Sequence, residues 1–343
     1  MPKPNSSWGR RIAASLALIV AAVVTSAAAD EPAPIVRVTG APRQVYTGAA
    51  YGLKFVPDGH LSVLRRADGG WNVWWGGGVR AGAGHTIGAT SPDLRRFTPF
   101  TLADGVALGE LGPAGGDTAF DADYAGPGSV LPEPRSRPDG ARLVMIYHGE
   151  NHVFDGVRRD DAYHADIGIA RSVDGGRSWR RGGRIVSGMV PHRAGPPPRS
   201  ALGAGMPSVV VSGGWYWLFY VDWNTTLPDA VHLARAPVSG GGAPGTWRKW
   251  YRGGFGEPGI GGRSTPVVLP PAATSIYAGI PDVSWNTALG RWLMVFESND
   301  AFWVAVSSDL VTWSGFTRIV ANPAGAASRR SGEVWMSYAT LIS

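Results

Sequence analysis

The chain of 343 residues contains no cysteine, which excludes disulfide bonds, cysteine nucleophiles and thiolate metal ligands. Strong charge of one sign is also missing, because the formal net charge is only +6 and the arginines are scattered. A nucleic-acid partner is therefore not indicated. No segment beyond residue 29 shows helical periodicity. What is left is a chain long enough to be stabilised by a large apolar core.

The first residues are predicted to be a secretory signal peptide. Lys3, Arg10 and Arg11 precede an apolar run from Ile12 to about Val24, and the small residues Ala27–Ala29 follow it. The run is shorter than the roughly 20 residues that a membrane-spanning helix needs, so we predict cleavage rather than anchoring. Cleavage removes three basic residues and lowers the net charge from +6 to +3. We expect a secreted, periplasmic or extracellular monomer, without membrane attachment after cleavage.

A three-part pattern recurs along the rest of the chain. With 49 Gly, 27 Pro and 15 Trp, the sequence is typical of many short strands joined by turns. The first part of the pattern occurs at Gly126–Val130, Gly205–Val209 and Gly279–Val283. The second part, an aromatic strand that ends near an acid, occurs at Leu143–Tyr147, Trp215–Tyr220 and Trp292–Phe296. The third part, an apolar run before a turn, occurs at Ile167–Arg171, Val231–Arg235 and Phe302–Val306.

Repeats of this length predict an all-β fold, a five-bladed β-propeller. We place the signal peptide at residues 1–29, an extended lead-in at 30–45 and the propeller at 46–343. Four clear units begin near Tyr46, Gly126, Gly205 and Gly279. Glu333–Ile342 is predicted to be the first strand of a fifth, incomplete unit.

Two turns that follow third strands are predicted to be structural. Ser172–Trp179 matches the Asp-box turn S/T-x-D-x-G-x-S/T-W of propeller proteins, and Ser307–Trp313 is a looser version. In such a turn the Asp accepts backbone N–H groups, Gly takes a positive φ and Trp packs between blades. These turns join third to fourth strands, so we expect them at the end of the propeller opposite the chemistry.

Acids and histidines collect where the chain enters first strands and leaves second strands, and these loops open on one face of a propeller. Before first strands lie Asp117, Asp121, Asp123, Glu257 and Asp282; after second strands lie His148, Glu150, His152, Asp222, Glu297 and Asp300. Paired carboxyl groups suit glycosidic cleavage, because one protonates the leaving oxygen and the other activates water or attacks carbon. Solvated rim residues would give the same pattern. Asp282 stands out because its repeat mates are Ser129 and Ser208.

The glycine-rich segment 253–263, which contains Glu257 and Arg263, leaves two interpretations open. It is either a loop whose backbone approaches a ligand closely or a structural turn. A phosphate loop is excluded, since no Lys-Ser/Thr pair follows and no helix begins there.

His148, Glu150 and His152 are predicted to share one side of an extended segment. A zinc site would need a further ligand, so we favour contacts with sugar hydroxyls and predict no cofactor, an axial calcium ion being the one open alternative. Trp223 and Trp285 are the tryptophans best placed to stack on a sugar ring.

Over residues 46–343 the chain resembles the five-bladed β-propeller glycoside hydrolases, the broad group of family 43 and its furanosidase relatives. The resemblance rests on the Pro-Ser-Val and Pro-Asp-Val first strands, the second strands ending in Tyr-x-Asp or Phe-Glu, and the Ser-x-Asp…Trp turns. It implies that Glu257 is the acid and that Asp282, Asp222 and Asp123 are candidates for the base and the pKa modulator. The first unit departs from the family, because Tyr46–Val56 lacks the usual first-strand Asp; Asp121 or Asp123 would then substitute.

The expected function is a secreted glycosidase that cleaves a polysaccharide, with an arabinan-type furanoside as the leading substrate. A sialidase-like enzyme is the alternative suggested by the Asp-box. It needs three arginines in the funnel, and only Arg263 qualifies, since Arg171 and Arg235 end third strands. A glycan-binding propeller without catalysis is the third interpretation.

Overall fold

The computed structural model describes residues 58–80, 83–100, 111, 114, 119–192, 197–224, 228–271, 275–299, 301–321 and 338–341. The predicted signal peptide, the lead-in, Asp117 and Asp300 lie outside this set. Apart from a short 3-10 turn at Val238–Gly240, the regular structure of the described residues is β, so the all-β prediction is confirmed. None of the helical structure found in these ranges is long and apolar enough to cross a membrane.

The strands form four antiparallel units in chain order. Unit one contains β1 (Asp58–Arg65), β2 (Trp71–Arg80), β3 (Ala83–Ser91) and β4 (Thr98–Pro99). Unit two contains β5 (Tyr124–Pro132), β6 (Leu143–Asn151), the hairpin β7 (Val153–Phe154) and β8 (Val157–Arg158), β9 (Tyr163–Ser172) and β10 (Arg180–Ser187). Unit three contains β11 (Ala201–Ser212), β12 (Trp215–Trp223), β13 (Ala230–Pro237), β14 (Arg248–Tyr251) and an added strand β15 (Gly254–Pro258). Unit four contains β16 (Ala278–Asn286), β17 (Arg291–Ser298), β18 (Ala301–Ser307) and β19 (Ser314–Ala321).

The first strands of successive units lie side by side: β1 contacts β5, β5 contacts β11, and β11 contacts β16. This is the arrangement of blades in a β-propeller. In each unit the first strand begins where the second strand ends, as the pairings of Tyr124 with Glu150 and Gly279 with Glu297 show. We call this end of the units the funnel end and the other end the turn end.

A ladder of side-chain hydrogen bonds connects the first strands. Ser62 Oγ accepts from Val130 N at 2.8 Å, Ser129 Oγ from Val209 N at 2.8 Å, and Ser208 Oγ from Val283 N at 3.0 Å. In unit four the same place is taken by Asp282, whose Oδ2 accepts from Leu341 N at 2.6 Å. Each bond satisfies a backbone N–H group between units, which contributes about 1 kcal/mol net and costs more when broken. We call this set the first-strand ladder.

The ladder identifies the C-terminal segment as a further repeat of the first strand. Tyr338 has a positive φ of 63°, and Met206 and Ile280 at the matching positions each have 51°. The ring of Tyr338 lies 6.2 Å from that of His60 in β1, while Leu341 is bonded to Asp282. The segment 338–341 therefore contacts both unit four and unit one, as expected of a fifth first strand, and the count of five blades stays a prediction.

The first strand that the structure describes in unit one begins after the predicted segment Tyr46–Val56. The strand that pairs with β2 is β1, Asp58–Arg65. Ser62 and Val63 occupy the positions in the repeat that Ser129 and Val130 occupy in unit two. Tyr46–Val56 itself lies outside the described residues, and β1 could not be recognised in the sequence because the segment before Ser62 lacks the proline that marks the other first strands.

The turns after third strands lie at the turn end. Asp174 Oδ1 accepts from Ser178 N at 3.0 Å and from Arg177 N at 3.1 Å. The ring of Trp179 packs edge-on against Trp74 of unit one, with centroids 6.1 Å apart. In the looser turn, Asp309 Oδ1 accepts from Thr312 N at 2.7 Å. The carboxylates are thus occupied by the turns themselves, which is the structural role predicted for them.

Candidate functional site

Three side chains from the end of β6 form the centre of the candidate site. Glu150 Oε1 accepts from His148 Nε2 at 2.8 Å, and its Oε2 accepts from His152 Nε2 at 2.9 Å. The prediction that the three share one side of an extended segment is confirmed, because alternation along a strand brings residues i, i+2 and i+4 to one face. We call this trio the carboxylate–imidazole cluster.

The cluster is an anion between two nitrogen donors. Burial alone raises the pKa of Glu150, but the hydrogen bonds and charges of His148 and His152 outweigh it and lower the pKa to about 2. Burial works against the charged form of His152, yet the bond to Glu150 raises its pKa. His152 also bonds Arg159 O through Nδ1 at 3.1 Å. Donating from both ring nitrogens requires the imidazolium form, so Glu150 and His152 form an ion pair.

Asp123 joins the cluster from the chain that enters β5. Its Oδ2 accepts from His152 N at 2.7 Å, and its Oδ1 pairs with Arg158 of β8. The structure therefore brings the predicted residue Asp123 close to His148, Glu150 and His152. Its contacts are those of a residue that positions the backbone of His152.

Aromatic rings surround His148. The ring centroids of Tyr124, Tyr163 and Trp223 lie 5.6, 6.1 and 6.1 Å from that of His148. Trp223 is only 5% exposed and packs edge-on against Tyr163. Trp223 thus lies at the predicted place, where it supports the imidazole and offers little of its face to a ligand.

His60 of β1 is a functional candidate that the sequence analysis missed. It is 2% exposed, and neither ring nitrogen has a hydrogen-bond partner among the described residues. Burial, and then the charge of His148, lower its pKa to about 4, so the imidazole is neutral near pH 7. Alignment of the repeats could have identified it, because His60 occupies the position of the apolar residues Pro127, Met206 and Ile280 in the other first strands.

Asp282 has a structural task that the sequence analysis did not foresee. The absence of an acid in its repeat mates suggested that the blade does not need this carboxylate, whereas the structure uses it in the first-strand ladder. Its Oδ1 is 3.2 Å from Ser208 Oγ. Burial raises the pKa of Asp282 to about 7, against the lowering effect of the bonds from Leu341 and Ser208.

Asp222 is fully buried on the opposite face of β12 from its neighbour Trp223. Both carboxylate oxygens are 3.2 Å from Met189 N, and Oδ2 is 3.3 Å from Ser264 Oγ. Burial raises its pKa to about 6, although the charge of Lys249 lowers it. Asp222 therefore lies between units two and three, apart from the carboxylate–imidazole cluster.

Glu257 and Arg263 bind each other at the outer edge of unit three. Glu257 lies in β15, opposite Lys249 of β14, and not in a loop that enters the first strand of unit four, as the sequence analysis had expected. Its Oε1 accepts from Arg263 Nη2 at 2.7 Å. The bonds from Arg263 lower the pKa of Glu257, which opposes the proton-holding role of a general acid.

The remaining predicted residues divide between the two ends. Trp285 pairs with Trp292 beside the β16–β17 turn, with ring centroids 5.1 Å apart. It lies at the turn end, so its expected placement near the funnel was wrong.

Glu297 lies at the funnel end and is 7% exposed. Asp121 also lies there, but Tyr147 Oη and Arg181 Nε occupy its Oδ2 at 2.9 and 2.7 Å.

The chemistry of the funnel end is that of carboxylates and imidazoles. In the part of the chain that the structure describes, no group of three or more His, Cys, Asp and Glu side chains is arranged to hold a metal ion. The absence of a cofactor stays a prediction, with an axial calcium ion as its open alternative. The described residues supply an ionised carboxylate in Glu150, a neutral imidazole in His60 and a carboxyl group with a pKa of about 7 in Asp282.

Comparison with known proteins gives remote structural neighbours. No family model and no curated protein matches the chain. An endo-1,4-β-xylanase from Bacteroides thetaiotaomicron is 15% identical with a TM-score of 0.46, over 77% of this chain and 76% of that one. An α-L-arabinofuranosidase from Lactobacillus brevis is 12% identical with a TM-score of 0.42, over 76% and 70%.

An exo-β-1,3-galactanase from Phanerochaete chrysosporium, solved with galactose, is 13% identical with a TM-score of 0.47, over 80% of this chain and 52% of that one. All three names are those of glycan-cleaving enzymes. At these identities and TM-scores the likeness is remote and assigns no activity to this chain.

Proposed function

We propose that the protein is a glycoside hydrolase that cleaves a polysaccharide at the funnel end, with the carboxylate–imidazole cluster at the centre of its site. The observation that carries the proposal is the contrast between two carboxyl groups. Glu150 has a pKa of about 2, and Asp282, in the central first strands, has a pKa of about 7. Environments that push two carboxyl pKa values apart are the usual basis for separate acid and base roles.

In this proposal each carboxyl group has one task. Asp282 is the acid and gives its proton to the glycosidic oxygen as the bond to the anomeric carbon breaks. Glu150 faces the positive charge that develops at that carbon and takes a proton from the attacking water. The neutral ring of His60 accepts a hydrogen bond from a sugar hydroxyl. The product is a reducing sugar; Glu150 then releases its proton to solvent and Asp282 takes one up, which restores both groups for the next turnover.

The finer features of the proposal come from the sequence. The predicted signal peptide supports action outside the cytoplasm, on a glycan that the protein meets as a monomer. An arabinan-type furanoside is the first substrate to test. Metal and cofactor have no part in the proposed steps.

The test is sugar release by residues 30–343 from arabinan, xylan, fructan, galactan and sialoside substrates. Glu150→Gln and Asp282→Ser are expected to lose release, and Glu257→Gln is expected to keep it. If sugar release is lost in Glu257→Gln but not in the other two variants, Glu257 would be the acid, as the sequence predicted. Sugar binding without release on any substrate, by a chain shown to be folded, would replace the hydrolase by a glycan-binding propeller.

A further inference from the structure

A second site lies in unit two, away from the carboxylate–imidazole cluster. A cavity of about 310 Å³ is lined by Ala119, Phe120, Asn151, His164, Asp166, Arg184 and His192. Asn151 is opposite His164 in the β6–β9 pairing, so these side chains share one face of the sheet. His148 and Glu150 project from the other face. The cavity and the cluster are therefore separate places on two sides of the same strands.

The cavity contains a buried acceptor that the protein does not satisfy. Asp166 is 2% exposed. Its Oδ2 accepts from Arg184 Nη1 at 2.8 Å, but its Oδ1 has no hydrogen-bond partner among the described residues. Buried polar atoms are nearly always paired, and an exception in a native structure needs an explanation. A ligand that donates a hydrogen bond into the cavity supplies one.

The other walls of the cavity define the chemistry of that ligand. The rings of His164 and His192 stack with centroids 4.9 Å apart and an angle of 17°. Partial burial, and then the charge of His164, lower the pKa of His192, so its imidazole is neutral near pH 7. The Arg184 side chain also lines the cavity and is 43% exposed. Phe120 provides an apolar wall.

These groups match a neutral polyol better than an ion. The carboxylate of Asp166 repels an anion, and Arg184 repels a cation. A sugar ring instead offers hydroxyl donors to Asp166 Oδ1, hydroxyl acceptors to Arg184, and a C–H face to Phe120. The volume of about 310 Å³ lies at the lower end of small-ligand pockets, roughly 300–1,000 Å³, which suits one or two sugar units.

We propose that this cavity is a second glycan subsite, which binds a mono- or disaccharide unit through Asp166 and Arg184. The inference rests on the proposed function, because it assumes that the protein meets glycans. Its role would be to hold a part of the polysaccharide that is not being cleaved. Such a subsite raises the affinity for long substrates by linking two binding events.

The test is titration calorimetry of the purified protein with arabinose, xylose, galactose and their disaccharides. Asp166→Asn removes the negative charge and replaces one of the two acceptor oxygens by an NH2 donor, with little change of shape, and is expected to weaken binding by about tenfold, as one lost charged hydrogen bond does. His192→Ala, at an exposed position, is expected to weaken it less and keeps the test open if Asp166→Asn does not fold. Cleavage of a short aryl glycoside is expected to stay unchanged in both variants, while KM for the polysaccharide rises.

The outcomes separate this inference from the proposed function. Unchanged sugar binding in both folded variants, or no binding at all, would overturn the subsite even if the polysaccharide is cleaved. Binding that depends on Asp166, in a protein that cleaves no glycan, would keep the subsite and remove the hydrolase. Binding of Ca²⁺ that is lost in Asp166→Asn, with no sugar bound, would make the cavity a cation site instead.

Discussion

Units two and four have the same strand order, yet they place charge differently. In the ladder, unit two uses Ser129 and unit four uses Asp282 for the same task of accepting a backbone N–H group. At the end of the second strand, Glu150 of unit two lies between two imidazoles. Glu297 of unit four lies close to Tyr277, whose pKa is raised by burial and then by the charge of Glu297. Equivalent backbone positions therefore do not imply equivalent chemistry, which is decided by the neighbours of each carboxyl group.

The largest difference between units two and four is expected at the acids that end their second strands, Glu150 and Glu297. Glu150→Gln keeps the shape of the side chain but removes the anion, and we expect kcat to fall by about 10³-fold. Glu297→Gln is the matched variant in unit four, and we expect a loss of less than about tenfold. Steady-state rates on the best substrate of the panel measure both. Equal losses in the two variants would mean that the units share the chemistry.

The next effect concerns Asp282. Asp282→Ser restores the residue found at the other rungs, so we expect it to fold with the first-strand ladder intact and to lose activity by about 10²-fold, because a serine cannot supply the acidic proton. Asp282→Ala removes the rung and should lower the free energy of unfolding by about 1–3 kcal/mol. Full activity in Asp282→Ser would assign Asp282 to the ladder alone.

The pH dependence of stability gives an independent measurement on the same residue. The folded pKa of Asp282 is raised from 3.8 to about 7, so the folded state holds a proton that the unfolded chain has lost between these values. Stability should therefore fall as pH rises from about 4 to about 7. Urea unfolding should be measured across this pH range for the unmodified protein and for Asp282→Ser. The free energy of unfolding should fall more steeply with pH in the unmodified protein.

A smaller effect is expected from the ladder in unit two. Ser129→Ala leaves the N–H group of Val209 without its acceptor, so the free energy of unfolding should fall by about 1–3 kcal/mol. Ser178→Ala, in an exposed turn at the turn end, should change it by no more than about 0.5 kcal/mol. Urea midpoints of the two variants test whether the ladder matters more than the turns, and a larger loss in Ser178→Ala would reverse that order.

The smallest effect is expected at the outer edge of unit three. Glu257→Gln breaks an exposed ion pair with Arg263, and such pairs add little to stability. We expect the melting temperature and the activity to stay within measurement error. A large loss of activity here would make β15, rather than the end of β6, the place of the chemistry.

The sequence was informative where an acid or histidine follows a strand whose period is clear. His148, Glu150 and His152 could be placed on one side because alternation along an extended segment is a local property. The repeat also located the C-terminal segment, whose residues 338–341 meet units four and one. Local pattern thus determined which strand end carries the cluster.

The errors arise where function depends on distant contacts. Glu257 was misplaced because the glycine-rich segment folds into a hairpin, with Arg252 and Gly253 at φ 47° and 93°, and adds an outer strand. Trp285 was misplaced because its strand continues to the turn end before it reverses. The partners of Asp166 and the cavity beside it come from segments far apart in the chain. Neither periodicity nor spacing reports such contacts.

In the first-strand ladder each acceptor precedes its donor along the chain, which sets the order in which the bonds can form. In every rung the hydroxyl or carboxylate belongs to an earlier part of the chain than the N–H group it accepts. As the chain emerges from its N-terminus, each new unit therefore meets an acceptor that is already in place, which favours folding unit by unit. Within the described residues, the ring contact of Tyr338 with His60 joins the segment 338–341 to the first unit, so this contact forms only after the segment has been synthesised.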